Sequence, residues 1–454
     1  MGQFTGLLGV TVMVLLAFCL SYERRRVPWK LVLVGIVVQM LLAGVILRMH
    51  GFDMVLFGTT RHIPGPSDGF HALGEFVNRV IQMSQAGIDF VFGKVGDTSG
   101  PWGFIFAVKV LPIIIFFSAL MSVLYYIGFM QRVVAVLAWG LRTTLRVTGA
   151  EATCMAANIF IGQTEAPLTV KPLIPLMTRA QLMLVMLGGF AHIAGSVLGA
   201  YVMMLGGDNA AEQTRYATHL IGASLMSAPA AFVMARIIMP ETQTPPAEDP
   251  QSLRAASDED HANLFDAAAG GATTGLKLAL NIGAMLIAFV ALLALVNWPI
   301  HALGEIAPIK SFLMQHGWVA VVNSKEGPTT TGLSIQVILG WVFAPLAWTM
   351  GIAWADASTI GGLLGEKLIL TEFVAYLHLG EAKQSGAISS RSAQIGAYAL
   401  CGFANFASIA IQIGGLSVLA PERRKEFAKL ALRAMLGGAL ATQMTASIAG
   451  LFIK

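Results

Sequence analysis

Two glutamates stand in otherwise apolar stretches, each behind a threonine: Thr164-Glu165 within ANIFIGQTEAPLTVKPLIPLM, and Thr371-Glu372 within DASTIGGLLGEKLILTEFVAYLHLG. Downstream of each comes a near-copy of one octet. It reads GFAHIAGS at 189–196 and GFANFASI at 402–409, with His192 in the first where Asn405 stands in the second. Carboxylates accept hydrogen bonds; Gln163, Thr164, Asn405 and Ser408 both donate and accept; Phe403 offers a flat apolar face. Such a set suits a polyhydroxylated heterocycle, which needs acceptors for hydroxyls, paired donors and acceptors for a ring edge, and a surface to stack on.

What positions these residues is a lipid bilayer. The chain is 56% hydrophobic and 12% charged, with a mean hydropathy of +0.71, beyond what a water-soluble core requires. Segments of about 20 apolar residues cross the hydrocarbon, and the pattern predicts about eight such spans. Two lie within 1–48, and the others near 103–130, 180–206, 214–239, 276–297, 393–418 and 428–452. A carboxylate at membrane depth costs at least about 2.5–3.5 kcal/mol on insertion scales, so function is the expected reason for Glu165 and Glu372.

No Lys or Arg precedes the first span, whereas Arg24, Arg25, Arg26 and Lys30 follow it, which predicts an outside N-terminus and a cytoplasmic first loop. Arg132, Arg142 and Arg146, and later Arg423, Arg424, Lys425 and Lys429, are placed inside by the same bias. The segment after 70, with Phe70, Leu73, Val77 and Val80 at helical spacing, and the stretch RVVAVLAWGLRTTLR both read as interfacial helices.

The two Thr-Glu stretches are too broken to cross, and irregular backbone at membrane depth must be buried in protein or line a cavity. Each is expected to form a re-entrant hairpin. Both halves run in the same order, a broken Thr-Glu segment followed by a span carrying Gly-Phe-Ala-polar, with an odd number of crossings between them. Inverted repeats with paired interrupted segments point to a transporter site at the midplane. The expected organisation is an all-α integral membrane protein with two re-entrant hairpins in inverted repeats. Scaffold spans and an interfacial helix fill 1–130 and the first repeat 131–240; a polar cytoplasmic loop (241–275), a scaffold span (276–298) and the second repeat (299–454) follow.

The net charge of +4 forms no basic stripe, so nucleic acid is not an expected partner. Cys19, Cys154 and Cys401 lie far apart in apolar segments and suggest neither a disulfide framework nor a metal site. No His-Glu-x-x-His run or Gly-x-Ser-x-Gly elbow supports an intramembrane enzyme, and no cofactor is expected.

The motifs GQTEAPL (162–168), FAPLAWTMG (343–351), TEFVAYLHLG (371–380) and GFANFASIAIQIGG (402–415) together resemble the concentrative nucleoside transporter family. The resemblance runs from about Phe92 to the C-terminus. It implies a homotrimer whose hairpins and unwound helices form a mobile domain, carried elevator-like against a scaffold, importing nucleosides by symport with sodium or protons. Position by position, it implies that Gln163, Thr164 and Glu165 face the nucleobase, that Glu372, Asn405 and Ser408 hold the ribose, and that Val197 and Phe403 flank the base. The extra N-terminal spans of animal members are lacking here, which suggests a multi-pass protein of a bacterial inner membrane.

One position departs from the family. In sodium-coupled members the ion is held by carbonyls matching Asn158, Ile161 and Ile193 and by a hydroxyl at the position of His192. An imidazole supplies no oxygen for a hard cation, and histidine protonates readily. Proton coupling is therefore expected ahead of sodium coupling. A sodium-coupled nucleoside symporter and a carrier of another polar cargo, such as a free nucleobase, are the alternatives.

Overall fold

The computed structural model describes residues 5–56, 59–96, 101–246, 261–315, 320–324 and 327–453. Helices α1 (Thr5–Cys19) and α2 (Trp29–Leu47) open the chain. Helix α3 (Pro66–Phe92) follows, with Gly74, Asn78, Ile81 and Ile88 buried on one face and Phe76, Met83 and Phe90 exposed on the other. The helix is amphipathic, as its sequence spacing leads one to expect, although Leu73 lies on its exposed side. After α4 (Phe106–Lys109) and α5 (Leu111–Tyr126), the second amphipathic helix α6 (Phe129–Leu145) leads into the first repeat.

That repeat consists of α7 (Gly149–Asn158), a 3₁₀ arm (Ala166–Leu176), α8 (Arg179–Ala191), α9 (Gly195–Gly206) and α10 (Ala210–Ile238). The sequence dictates each joint. Thr148 and Glu151 form a capping box that starts α7, and Thr178 with Gln181 does the same for α8. Pro167, Pro172 and Pro175 each remove an amide donor, so the intervening arm cannot close as an α-helix.

Helix α11 runs unbroken from Leu264 to Gly304, capped by Asn263. Of the expected polar loop 241–275, residues 247–260 lie outside the described residues and 264–275 are helical, so the scaffold span begins well before 276. A short α12 (Ala307–Gln315) precedes the second repeat. This comprises α13 (Ile335–Thr349), α14 (Trp354–Ile369), α15 (Glu372–Gln384), α16 (Ser390–Leu400), α17 (Phe406–Leu419) and α18 (Arg424–Phe452). Two small antiparallel ribbons, Phe52–Leu56 with Thr59–Ile63 and Ala320–Ser324 with Gly327–Thr331, are the exceptions to a helical architecture.

Six helices among the described residues reach spanning length and apolarity, or seven if α13 and α14, bent by 117° at Met350–Ala353, count as one broken span. The expected eight falls short for two reasons. Helix α1 has only 15 residues, and the stretch 393–418 is divided between α16 and α17. The spans differ sharply in surroundings: windows in α8–α9, α10 and α18 are 83–89% buried, whereas those in α2, α5 and α11 are 11–28% buried. An inner block of hairpins and broken spans is thus flanked by outer helices with wide apolar faces.

Candidate functional site

Glu372 is the first residue of α15, directly after Thr371, whose side chain caps that helix by accepting from the Val374 amide at 3.5 Å. The carboxylate is buried at a helix N-terminus, where unpaired amides and the helix dipole favour negative charge. Asn405 caps a second helix, α17, accepting from the Ser408 amide at 2.8 Å. Its Nδ2 donates to Glu372 Oε2 at 2.9 Å, and the Tyr201 hydroxyl from α9 donates to Oε1 at 3.0 Å. Gln163, at the tip of the first hairpin, donates from Nε2 to Ser408 Oγ at 3.2 Å. A continuous polar chain therefore runs from the tip of one hairpin, through the start of α17, to the tip of the other.

Aromatic rings wall this chain. Tyr201 stacks on Tyr376 with centroids 4.5 Å apart and meets Phe373 at 4.7 Å, while the Tyr376 hydroxyl donates to Ala397 O at 2.8 Å. Val197 is buried one turn before Tyr201, and Phe403 is half-buried in the break between α16 and α17. Thr164 packs against Gly415 of α17, where a Cβ would lie 2.7 Å from its methyl group.

Glu165 departs from expectation. Its side chain is exposed and folds back over Gly162, so it is not the second buried carboxylate that its apolar neighbours suggested. The cause is local: Glu165 precedes a 3₁₀ arm and caps nothing, whereas Glu372 starts an α-helix and is gripped by two donors.

The repeated octets meet. The Phe403 amide donates to His192 O at 3.2 Å, and a Cβ on Gly402 would lie 2.7 Å from Phe190 O, so glycine there allows the two broken spans to cross at their breaks. The octets nevertheless lie differently on their spans. His192 closes α8, whereas Asn405 opens α17, and the three-residue break His192–Ala194 faces a five-residue break Cys401–Asn405.

Of the expected ion-binding residues, Ile193 adjoins His192 and Asn158 lies near the turn of α8 that His192 closes. The His192 Nδ1 lies 2.7 Å from Gly188 O, so this nitrogen carries hydrogen and Nε2 holds the lone pair. Asn158 lies beside Gly188, and both His192 Nε2 and Asn158 Oδ1 are buried without a hydrogen-bond partner among the described residues. No backbone amide among those residues donates to the carbonyls of Asn158, Ile161 or Ile193. The side chain at position 192 presents no oxygen to a cation.

Tyr201, Tyr376 and Lys367 escaped sequence reasoning. A tyrosine in an apolar helix carries no sequence mark of a polar partner. Lys367 carried a usable signal, a charge inside the apolar run GGLLGEKLIL, and is 2% exposed. Among other histidines, His219 meets the Tyr398 hydroxyl at 3.2 Å and His378 joins Glu366 at 2.8 Å across the arms of the second hairpin.

Comparison with known proteins agrees with this geometry. Family profiles described as Na+ dependent nucleoside transporter N-terminus, nucleoside recognition, and Na+ dependent nucleoside transporter C-terminus match residues 8–95, 107–208 and 219–450. An uncharacterized transporter of Haemophilus influenzae is 40% identical, covering 100% of this chain and 98% of that protein. The sodium/nucleoside cotransporter 1 of Mus musculus is 37% identical over 99% of this chain, which spans 64% of the mouse protein. Among solved structures, CNTnw in an inward-facing substrate-bound state superposes with a TM-score of 0.83 at 38% identity, covering 100% of this chain and 98% of that one. A substituted CNTnw in an outward-facing state gives a TM-score of 0.82 at 37% identity, with 100% and 98% covered.

Proposed function

Because this chain belongs to the concentrative nucleoside transporter family, we propose that it imports nucleosides by symport with a proton, through an elevator-like movement of its inner helical block. The observation that carries the reading is the polar chain Gln163–Ser408–Asn405–Glu372, closed by Tyr201. Ribose hydroxyls are donors, and an anionic carboxylate held by Asn405 and Tyr201 grips them with charge-assisted bonds. A substrate without those hydroxyls leaves a buried acceptor unpaired at a cost of about 1–3 kcal/mol, which selects nucleosides over free bases. Val197 and Phe403 flank the base. Gln163, whose Oε1 is buried without a partner among the described residues, joins Thr164 and the exposed Glu165 at its edge.

The driver belongs to the other broken span. A proton arriving at His192 takes the Nε2 lone pair, and the ring then donates from both nitrogens, towards Gly188 O and the nearby Ser224 backbone. Sodium is the second reading. The family profile is described as Na+ dependent, and the carbonyls of Asn158, Ile161 and Ile193 would be three of its oxygen ligands.

The contrast between inner and outer spans supports movement of one block against the other, and CNTnw is described in inward-facing, intermediate and outward-facing states. Helix α11 exposes Leu280, Ile287, Leu295 and Trp298, a face suited to lipid and to further copies in a homotrimer. Near-complete matches to transporters of Haemophilus influenzae and Bacillus subtilis support a bacterial inner-membrane location.

Radiolabelled uridine uptake into proteoliposomes tests the proposal. A proton gradient without sodium is expected to drive accumulation, and His192→Thr is expected to lose it or transfer it to sodium. Uptake driven by sodium alone in the native protein would replace the proton reading with the sodium one, and no uptake under either gradient would contradict nucleoside symport.

A further inference from the structure

The stretch CLSYERRRVPWK (19–30) joins α1 to α2 and packs three arginines into one 3₁₀ turn, Arg24–Arg26. Proline at 28 holds Val27 in extended backbone, so the turn stops there and α2 starts at Trp29. Residues Ser21, Tyr22, Glu23 and the three arginines line a shallow cavity of about 450 Å³. The Ser21 hydroxyl is buried there without a hydrogen-bond partner among the described residues. Arg24 donates to Cys19 O at 3.0 Å and lies over the Phe18 ring at 5.7 Å, while the lining carboxylate, Glu23, is engaged by Arg26 at 3.2 Å. Arg25 and Lys30 are exposed and form no ion pair among the described residues. The turn therefore has an excess of positive charge and a hydroxyl in want of an acceptor.

An apolar track starts at the same place. Helix α2 turns Gly35, Gln39 and Ala43 inward and leaves Trp29, Leu33, Val37 and Leu41 exposed by 46–64%, at a constant spacing of four. Residues four apart form one inclined ridge on a helix, so these side chains make a continuous stripe leading away from the arginines along the span. Trp29, at its head, meets the Phe18 ring at 5.9 Å, and an indole is favoured at the boundary between membrane and water. The turn is also fastened to the inner block: the Tyr22 amide donates to Ile238 O at the end of α10 at 2.8 Å, and the Arg433 guanidinium of α18 lies 3.8 Å over the Tyr22 ring.

We propose that this turn and the stripe beneath it form a binding site for an anionic phospholipid of the cytoplasmic leaflet. Arg24, Arg25, Arg26 and Lys30 receive the phosphate, the Ser21 hydroxyl finds its acceptor there, and an acyl chain lies along Trp29, Leu33, Val37 and Leu41. Guanidinium forks match phosphate oxygens in both geometry and charge. A soluble anion would use the arginines and leave the stripe bare, whereas a phospholipid uses both. The arginine bias assigns this end of the span to the cytoplasm, where anionic headgroups attract cations next to a span. A lipid bound here places its charge where the first two helices meet the ends of the inner block.

The test is quenching of Trp29 fluorescence in vesicles that mix phosphatidylcholine with phosphatidylglycerol, one or the other carrying brominated acyl chains. The Trp29 signal is the difference between the native full-length protein and Trp29→Phe. Phosphatidylglycerol is expected to be preferred at Trp29 by on the order of tenfold at low salt, and the preference is expected to fall as salt rises. Combining Arg24→Gln, Arg25→Gln and Arg26→Gln is expected to abolish it. Equal quenching by both lipids in the native protein, or a preference that survives the triple substitution, overturns the proposal. So does quenching by neither lipid, which would show the stripe covered by a second copy of the chain. A preference lost to inorganic phosphate at constant ionic strength would assign the arginines to a free anion and overturn it as well. If the triple variant does not insert, Arg25→Gln leaves Arg24, Arg26 and Lys30 to orient the helices; a fall of about threefold is then expected, and an unchanged preference contradicts the site.

Discussion

The two hairpins are built from similar sequence and end in opposite states. In the second, Thr371 caps an α-helix and Glu372, its first residue, is buried between Tyr201 and Asn405. In the first, Thr164-Glu165 leads into a proline-rich 3₁₀ arm, and the glutamate is exposed. The broken spans diverge in the same way, since Asn405 opens its helix and faces the carboxylate, while His192 closes its helix near buried polar atoms that have no partner among the described residues. The repeated sequence thus ends in two unequal arrangements, a carboxylate held by two donors and a histidine among buried polar atoms, which we read as one site for hydroxyl donors and one for a small cation or proton. Helix type at the Thr-Glu step is what separates them.

Substitutions can break this contrast. Glu372→Gln should have the largest effect, with a loss of about 2–3 kcal/mol, on the order of thirty- to 160-fold in uridine affinity by isothermal titration. Asn405→Ala removes both a partner of Glu372 and the cap of α17, and about a tenfold to thirtyfold loss is expected, with a lowered melting temperature. Tyr201→Phe deletes one donor while keeping the ring stack, so a loss of about 1 kcal/mol, roughly fivefold, should appear without a change in stability. Glu165→Gln should cost least, less than about threefold, because an exposed charge is screened by water; a loss as large as that of Glu372→Gln would show the two hairpins to be equivalent after all.

Much of this asymmetry was hidden in the sequence, although its parts were legible. The bilayer, the broken segments, the order of the repeats and the residues Gln163, Glu372, Asn405 and Ser408 follow from apolar length, proline content and polar interruption. The exposure of Glu165 did not follow, because its neighbours are apolar whether the side chain points inward or outward. Tyr201 was invisible for a different reason: its partner Glu372 is 171 residues away, and a tyrosine in an apolar helix carries no mark of the carboxylate it will meet. The octets align residue by residue, yet their helices break at different places, and only the hydrogen bonds of Asn405 and His192 distinguish a helix start from a helix end.

The central claim, that the second repeat holds the sugar and the first does not, is tested most directly by a cycle of substrate and protein changes. The binding of uridine and 2′,3′-dideoxyuridine would be measured for the native protein, Glu372→Gln and Glu165→Gln. If Glu372 receives the ribose hydroxyls, removing them should cost the native protein and Glu165→Gln alike and cost Glu372→Gln little. Equal hydroxyl penalties in all three proteins would contradict the account.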